Sequence, residues 1–252
     1  MGTDIHMYVE KQNDDGSWSL VREVPAWKCS WCAGTGKNHL SPCYSCKGTG
    51  HTVSAYHDRN YDLFAMLANV RNGRGFAGCD TGDGFEPLAM PRGLPENLSK
   101  ELAQKYNEDD ENAPWLGDHS FSFASLTDVL MYNYDRTTAH RGVVDSAVYA
   151  EWVKNGRNGA PTDWSGGVSG KSVQAVSNER MDQLIEQGIA STALPSRRYD
   201  LTESRNGIRY VTTIQWTESY RNSAAEAWFN FLDACKKLGD PDRIRLVFGF
   251  DS

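Results

Sequence analysis

The chain has 252 residues, 39% of them hydrophobic, and its eight Trp and eleven Tyr supply enough apolar surface for a packed core without disulfide staples. Its 26 Lys and Arg stand against 33 Asp and Glu, and the resulting formal charge of −7 argues against broad binding to a nucleic-acid backbone. No stretch approaches the ~18 apolar residues of a membrane helix, and a strand-like pattern starts at once, so the expectation is a cytoplasmic protein with no membrane span and no signal peptide.

In chain order, residues 4–10 alternate, with Ile5, Met7 and Val9 on one side and Asp4, His6, Tyr8 and Glu10 on the other. The turn Asn13-Asp14-Asp15-Gly16 leads into a second run, Trp18 to Val24, and the two together predict a β-hairpin. A cysteine segment, 28–51, interrupts. Leu63, Phe64, Leu67 and Val70 then recur at helical spacing within 61–72. A Gly-rich loop over 72–93 lacks the Gly-Lys-Ser/Thr ending of a phosphate loop and leads through Pro91 and Pro95 to a short helix near 98–106. The stretch Glu108 to Asp118 is acidic and holds no Lys or Arg. Ser122 or Ser125 is placed to cap a helix running to about Asn133, another helix spans 144–154, and residues 156–172 are predicted to be a flexible loop. Met181, Leu184 and Ile185 predict a short helix, and residues 208–216 alternate as a strand. Ala225, Trp228, Phe229, Leu232, Cys235 and Leu238 mark one face of an amphipathic helix that stops at Gly239, and Ile244, Leu246, Phe248 and Phe250 alternate as a last strand. The expected architecture is a single α+β domain over residues 1–252. It has a mainly antiparallel sheet, helices on one face, the first and last strands in the same sheet, and an inserted zinc knuckle.

The cysteines carry the strongest signal. Cys29-x-x-Cys32 and Cys43-x-x-Cys46 are two turns of the kind that presents paired thiolates to one tetrahedral ion, and Gly34, Gly36, Gly48 and Gly50 permit tight reversal and close approach after each pair. The expectation is one structural Zn²⁺ held by Cys29, Cys32, Cys43 and Cys46, with His39 and His51 as bystanders. Cys79 and Cys235 are isolated; Cys235 sits on the apolar helix face and reads as core.

The unit Cys-x-x-Cys-x-Gly-x-Gly, present twice, resembles the zinc knuckles of DnaJ-type co-chaperones and of the small bacterial protein anti-TRAP. The co-chaperone domain has four such units and two ions; two units here imply one ion, and the absence of a J-domain His-Pro-Asp motif keeps co-chaperone activity from carrying over. Residues 2–10, 59–64 with Val70-Arg71, 91–95, 118–120 and 245–251 resemble a group of phage and bacterial proteins that open with Gly-Cys-Asp-Ile-His, with Thr3 in place of the Cys. That resemblance implies a viral origin. Asp4-x-His6 is similar to the opening of calcineurin-type metallophosphoesterases, whose side chains at this motif bind a dinuclear metal centre. Only three residues precede Asp4, and the Gly-Asn-His and Gly-His-x-His motifs are missing; Asp118-His119 is the nearest partner for a catalytic metal site with Asp4 and His6.

The polar sheet face has two readings. Asp4, His6 and Tyr8, with Arg209 and Arg245 from other strands, line a hollow that binds a small anionic ligand such as a nucleotide, or the face is solvated and laced by cross-strand Arg–Glu pairs. Arg59 and Arg71, flanking the helix within 61–72, extend the first reading to an anion site at its N-terminus, whereas Asp58, Asn60 and Asp62 there are ordinary capping residues. The functional expectation is a zinc-containing phage accessory protein of the host cytoplasm that binds a host protein or a small nucleotide signal without catalysis. The alternative is a hydrolase of nucleotides or phosphoesters at the Asp4/His6 face. Oligomeric state is left open.

Overall fold

The computed structural model describes residues 2–21, 32–38, 41–43, 48, 50, 55–56, 59–103, 115–193 and 201–251. The chain is an α+β protein and divides into two compact units, one made of residues 1–70, 86–133 and 224–252, the other of 71–85 and 134–223.

The first unit is built on a four-stranded antiparallel sheet. Strand β1 (Ile5–Gln12) turns through Asn13–Gly16 into β2 (Trp18–Leu20), as the turn chemistry predicts. Residues 37–38 and 41–42 form a small hairpin, β3 and β4. Helix α1 (Tyr61–Ala68) starts where the Asn60 side chain accepts from the Leu63 N–H, and it buries everything from Leu63 to Ala68. A short helix α2 (Lys100–Ala103) is followed by β5 (His119–Ser125) and α3 (Leu126–Met131), the latter capped by Ser125 accepting from the Asp128 N–H. The alternation Ser120-Phe121-Ser122-Phe123 is a strand signature that the capping argument at Ser122 passes over.

In the second unit, β6 (Thr137–Asp145) pairs antiparallel along its whole length with β8 (Arg209–Ser219), and β7 (Val173–Ala175) adds to β8 in parallel. Helices α4 (Ser146–Lys154) and α5 (Asn178–Glu186) pack Val148, Tyr149, Trp152, Met181 and Leu184 against Tyr210, Ile214 and Trp216 of β8. Asp145 is the hinge residue between β6 and α4. One carboxylate oxygen caps the helix by accepting from Ala147 and Val148 N–H, and the other accepts from the N–H and hydroxyl of Thr202. Within 156–172, Ser165 exchanges two main-chain hydrogen bonds with Val143, and the Trp164 ring meets Trp216 edge-on at 5.2 Å, so this part of the loop is pinned to the sheet.

Helix α6 (Tyr220–Lys236) begins in the second unit and returns the chain to the first, with a break in helical geometry at Ala225 (φ 67°). From Ala224 it buries Trp228, Phe231, Leu232 and Cys235, while Phe229 is only partly buried. Strand β9 (Ile244–Phe250) closes the first sheet between β1 and β5, giving the order β2-β1-β9-β5 and joining the first and last strands as expected. The strands of the chain are thus shared between two main sheets. Among the described residues, no helix is long and apolar enough to cross a membrane.

The two faces of the first sheet are both covered. Ile5, Met7, Val9, Leu246, Phe248 and Phe250 form one buried side, against which Phe64 of α1 packs edge-on to Phe250 at 5.2 Å and Trp228 and Phe231 of α6 close around Tyr56. The other side is where Tyr8 and Glu10 point. Tyr8 and Val247 there join Leu102 and Leu116 in a second small core, with Leu94, Leu98, Phe121 and Phe123 around it. The middle of this face is therefore neither a hollow nor a solvated surface.

Candidate functional site

Register decides what the polar residues of β1 can do. Glu10 lies opposite Arg245, Tyr8 opposite Val247 and His6 opposite Gly249, so the three residues run from the covered middle of the sheet to its end. Glu10 is fully buried and Arg245 is 5% exposed. Glu10 Oε2 accepts from Arg245 Nε at 2.6 Å and its Oε1 accepts from the Ser99 N–H at 2.8 Å. The remaining guanidinium nitrogens donate to the side chain and the carbonyl of Asn97, and the group lies 3.9 Å from the centre of the Trp18 ring. Arg245 is thereby enclosed by protein partners, in the cross-strand Arg–Glu pair that one reading of the face called for.

Tyr8 is buried as well, which pushes its hydroxyl up to about 12 and keeps it protonated. The hydroxyl accepts from the Trp115 N–H at 2.9 Å and donates to the Trp115 carbonyl at 3.2 Å. One side chain on β1 thus clamps both main-chain polar groups of a single residue in the segment leading to β5. That segment can lie so close because Gly249 has no side chain: a Cβ there would stand 2.1 Å from the Leu116 carbonyl oxygen and 2.6 Å from the Phe121 ring.

At the end of the sheet, three strands finish together. Ile5, Phe250 and His119 form the last paired row, and Asp4, Asp251 and Asp118 stand one residue beyond it. The carboxylate of Asp251 accepts from the Asp4 N–H at 2.9 Å and lies 3.2 Å from His6 Nε2. Asp4 takes the Arg59 guanidinium in a two-pronged pair, at 2.8 and 2.6 Å, and this pairing holds the arginine above its ordinary pKa. The His6 ring packs against the Trp115 indole, with centroids 4.4 Å apart. His119 stacks on Phe250 and contacts the Ser120 hydroxyl through Nδ1 at 3.0 Å, in a bulge where Ser120 adopts φ 51°.

Of the candidate ligand-binding residues, Asp4, His6 and Arg59 meet at this end, with Tyr8 supporting it from behind. Arg71 and Arg209 belong to the second unit. Arg71 reaches the Gly75 carbonyl there, and Arg209 Nε is buried with no hydrogen-bond partner among the described residues. Asp118 and His119 do not combine with Asp4 and His6 into a metal-ligating set: among the described residues, no group of three His, Cys, Asp or Glu side chains is disposed to hold an ion. Asp251 and Trp115 are the residues that sequence reasoning missed. Asp251 follows a strand whose alternation ends at Phe250, and Trp115 is the lone aromatic of an acidic stretch, of which residues 108–114 lie outside the described residues.

In the cysteine segment, Cys29 and Cys46 lie outside the described residues, as do His39 and His51. Cys32 and Cys43 are both buried and form a cluster of their own. Gly36 and Gly50 explain how two turns come together around them. A Cβ on Gly36 would lie 2.3 Å from the Gly48 carbonyl oxygen, and one on Gly50 would lie 2.5 Å from that of Gly34. The glycines after the first cysteine pair therefore meet those after the second in a reciprocal, backbone-to-backbone contact that no side chain would permit. A short-legged hydrogen bond from the Cys43 N–H to the Gly36 carbonyl, 2.9 Å, ties the second turn to the first.

Comparison of the chain with models of known protein families, with curated proteins and with solved structures returned no match.

Proposed function

We propose that this protein is a zinc-containing binding protein without catalytic activity, with the ion held by Cys29, Cys32, Cys43 and Cys46 and a binding face at the end of the first sheet. Its resemblance to the phage and bacterial group points to an accessory role in a host cytoplasm, with a host protein or a small anionic ligand such as a nucleotide signal as the partner. The observation that carries the reading is the mutual pairing at the sheet end. Asp4 is engaged with Arg59, His6 with Asp251 and the Tyr8 hydroxyl with the Trp115 peptide groups, an arrangement that fixes a surface in advance of contact. Zinc is supported by the buried Cys32–Cys43 pair and the reciprocal glycine contacts around it. Four thiolates on one Zn²⁺ form a closed site, whose contribution is local folding energy.

One observation favours the hydrolase alternative: an imidazole oriented by a carboxylate, His6 with Asp251, is the arrangement of a general base. Metal content separates the two. Protein purified without added metal is expected to carry one zinc per chain, lost in Cys32→Ser and Cys43→Ser, and to leave a generic phosphodiester uncleaved. A second metal equivalent, or hydrolysis, that disappears in the Asp4→Ala/His6→Ala double variant would replace the binding reading with a metal-dependent hydrolase.

A further inference from the structure

Trp115 combines two properties that folding alone does not bring together. Its main chain is held at both polar groups, since the N–H and the carbonyl both bond the hydroxyl of the buried, protonated Tyr8. Its side chain nevertheless remains 48% exposed. An indole left half in water contributes little to the core, yet its orientation is already set and little freedom remains to be lost when something stacks on it. One side of the ring rests on His6, and His6 is fixed in turn by the Asp251 carboxylate.

The charge around this ring specifies what it accepts. Asp4, Asp118 and Asp251 end three adjacent strands, and among the described residues the guanidinium that meets them is Arg59, engaged with Asp4 in the two-pronged pair. Counting the carboxylates and guanidinium of the described residues alone, three against one leaves −2 at the sheet end. The whole chain carries −7, so the long-range field has the same sign. A phosphate would approach this ring against that field. A cation would approach with it, and would find both an indole face, the strongest of the aromatic partners for a cation, and carboxylates within the same row.

We propose that Trp115, backed by His6 and Asp251, is the recognition point for a cationic side chain, arginine or lysine, carried on an exposed segment of a partner protein. The proposal rests on the binding-protein reading above and narrows its partner from host protein or small anion to a protein with a basic segment. Arg59 has a positioning part: its guanidinium balances Asp4, so that the charges of Asp251 and Asp118 are the ones no guanidinium balances among the described residues.

The test uses the full-length zinc-loaded chain and a blocked peptide, Gly-Arg-Gly-Arg-Gly, with its citrulline counterpart and ATP as controls. Binding is read from the indole N–H resonance of Trp115, identified by its loss in Trp115→Phe. The arginine peptide is expected to shift that resonance saturably, and the citrulline peptide and ATP to leave it in place. In titration calorimetry with the same peptide, Trp115→Ala and Asp251→Asn are each expected to weaken binding about two- to fivefold, the scale of a cation on an exposed aromatic face, whereas Asp14→Asn, elsewhere on the same unit, should not. The Trp115→Ala variant keeps the peptide groups that Tyr8 holds, and an unchanged far-UV spectrum with one bound zinc verifies its fold. A shift driven by ATP, no shift with the arginine peptide, or peptide affinity untouched by Trp115→Ala would each overturn the assignment while leaving a binding protein in place. Phosphodiester cleavage lost in His6→Ala would instead overturn the reading beneath it.

Discussion

Replacing Glu10 with alanine removes the one carboxylate bonded to Arg245 among the described residues and strands a guanidinium in the covered side of the sheet. Glu10 is 0% and Arg245 5% exposed, so solvent cannot take over the lost contact. Arg245 keeps its two bonds to Asn97 and its place over the Trp18 ring, but the Ser99 N–H loses its acceptor. Breaking one side of a buried ion pair costs about 3–5 kcal/mol, and Arg245→Met alone should cost a similar ~3–5 kcal/mol by leaving the carboxylate uncompensated. With a urea dependence of roughly 2 kcal/mol per molar, either single variant moves the unfolding midpoint of the first unit down by about 2 M. The double variant Glu10→Leu/Arg245→Met strands no charge. It should lie within about 2 kcal/mol of the parent and above both single variants, because apolar groups of similar volume commonly replace such pairs without loss. Urea unfolding followed by far-UV circular dichroism measures all four corners of this cycle. Single-variant costs below about 1 kcal/mol would show a solvated surface pair, and additive costs in the double variant would show that the two residues do not depend on each other. Either result would refute the enclosed-pair account and return Arg245 to the set of residues open to a ligand.

Three further outcomes are expected. His140 is buried against Trp216 and Phe85, with Ser223 at 3.2 Å and Glu218 at 4.0 Å, and burial holds its pKa below the ordinary 6.5. Unfolded chains therefore take up a proton first as the pH falls below about 6.5, and stability drops by up to about 1.4 kcal/mol per pH unit until the folded-state value is reached. Urea midpoints between pH 7.5 and 5 should show that slope in the second unit and lose it in His140→Gln; an unchanged slope would assign it to another group. Asp145→Ala removes four accepted hydrogen bonds, two at the α4 cap and two from Thr202, and should cost about 3 kcal/mol in the same assay, with Asp145→Asn recovering part of it. On the proposed zinc reading, a chelator should raise hydrogen exchange over residues 28–51 while β1 and β9 stay protected, because the energy of such a site is local folding energy. Cooperative loss of protection across the sheet would show that the rest of the unit depends on the ion.

Local chemistry was enough to read several elements of this protein. The alternation of residues 4–10 and 244–250 specified β1 and β9, and the turn residues Asn13 to Gly16 placed β2 after them. The spacing of Leu63, Phe64 and Leu67 specified α1, and Ser125 the start of α3. Each of these signals is complete within one turn or one pleat, so no distant residue is needed to interpret it. β5 is less legible, although Ser120 to Phe123 alternates: short polar residues there also suit a helix cap, and only pairing with β9 decides between the two.

What lies opposite a face is a different kind of question. Period two puts Asp4, His6, Tyr8 and Glu10 on one side of β1 but is silent about what covers them, and the cover comes from a segment 89 residues away, where Ser99 bonds Glu10. Whether that side is a hollow, a solvated surface or a second core depends on close approach at Gly249 and on the Tyr8 clamp on Trp115, and both exist only once β9 lies beside β1. The same holds at the sheet end. Asp251 meets His6 across 245 positions of sequence, and Arg59 reaches Asp4 across 55, so the charges that set the character of the site were brought together by strand register and by no pattern within a single segment. Sequence determined β1, β9, α1 and the start of α3, whose signals are local; long-range pairing alone decided which polar groups of the sheet are buried against partners.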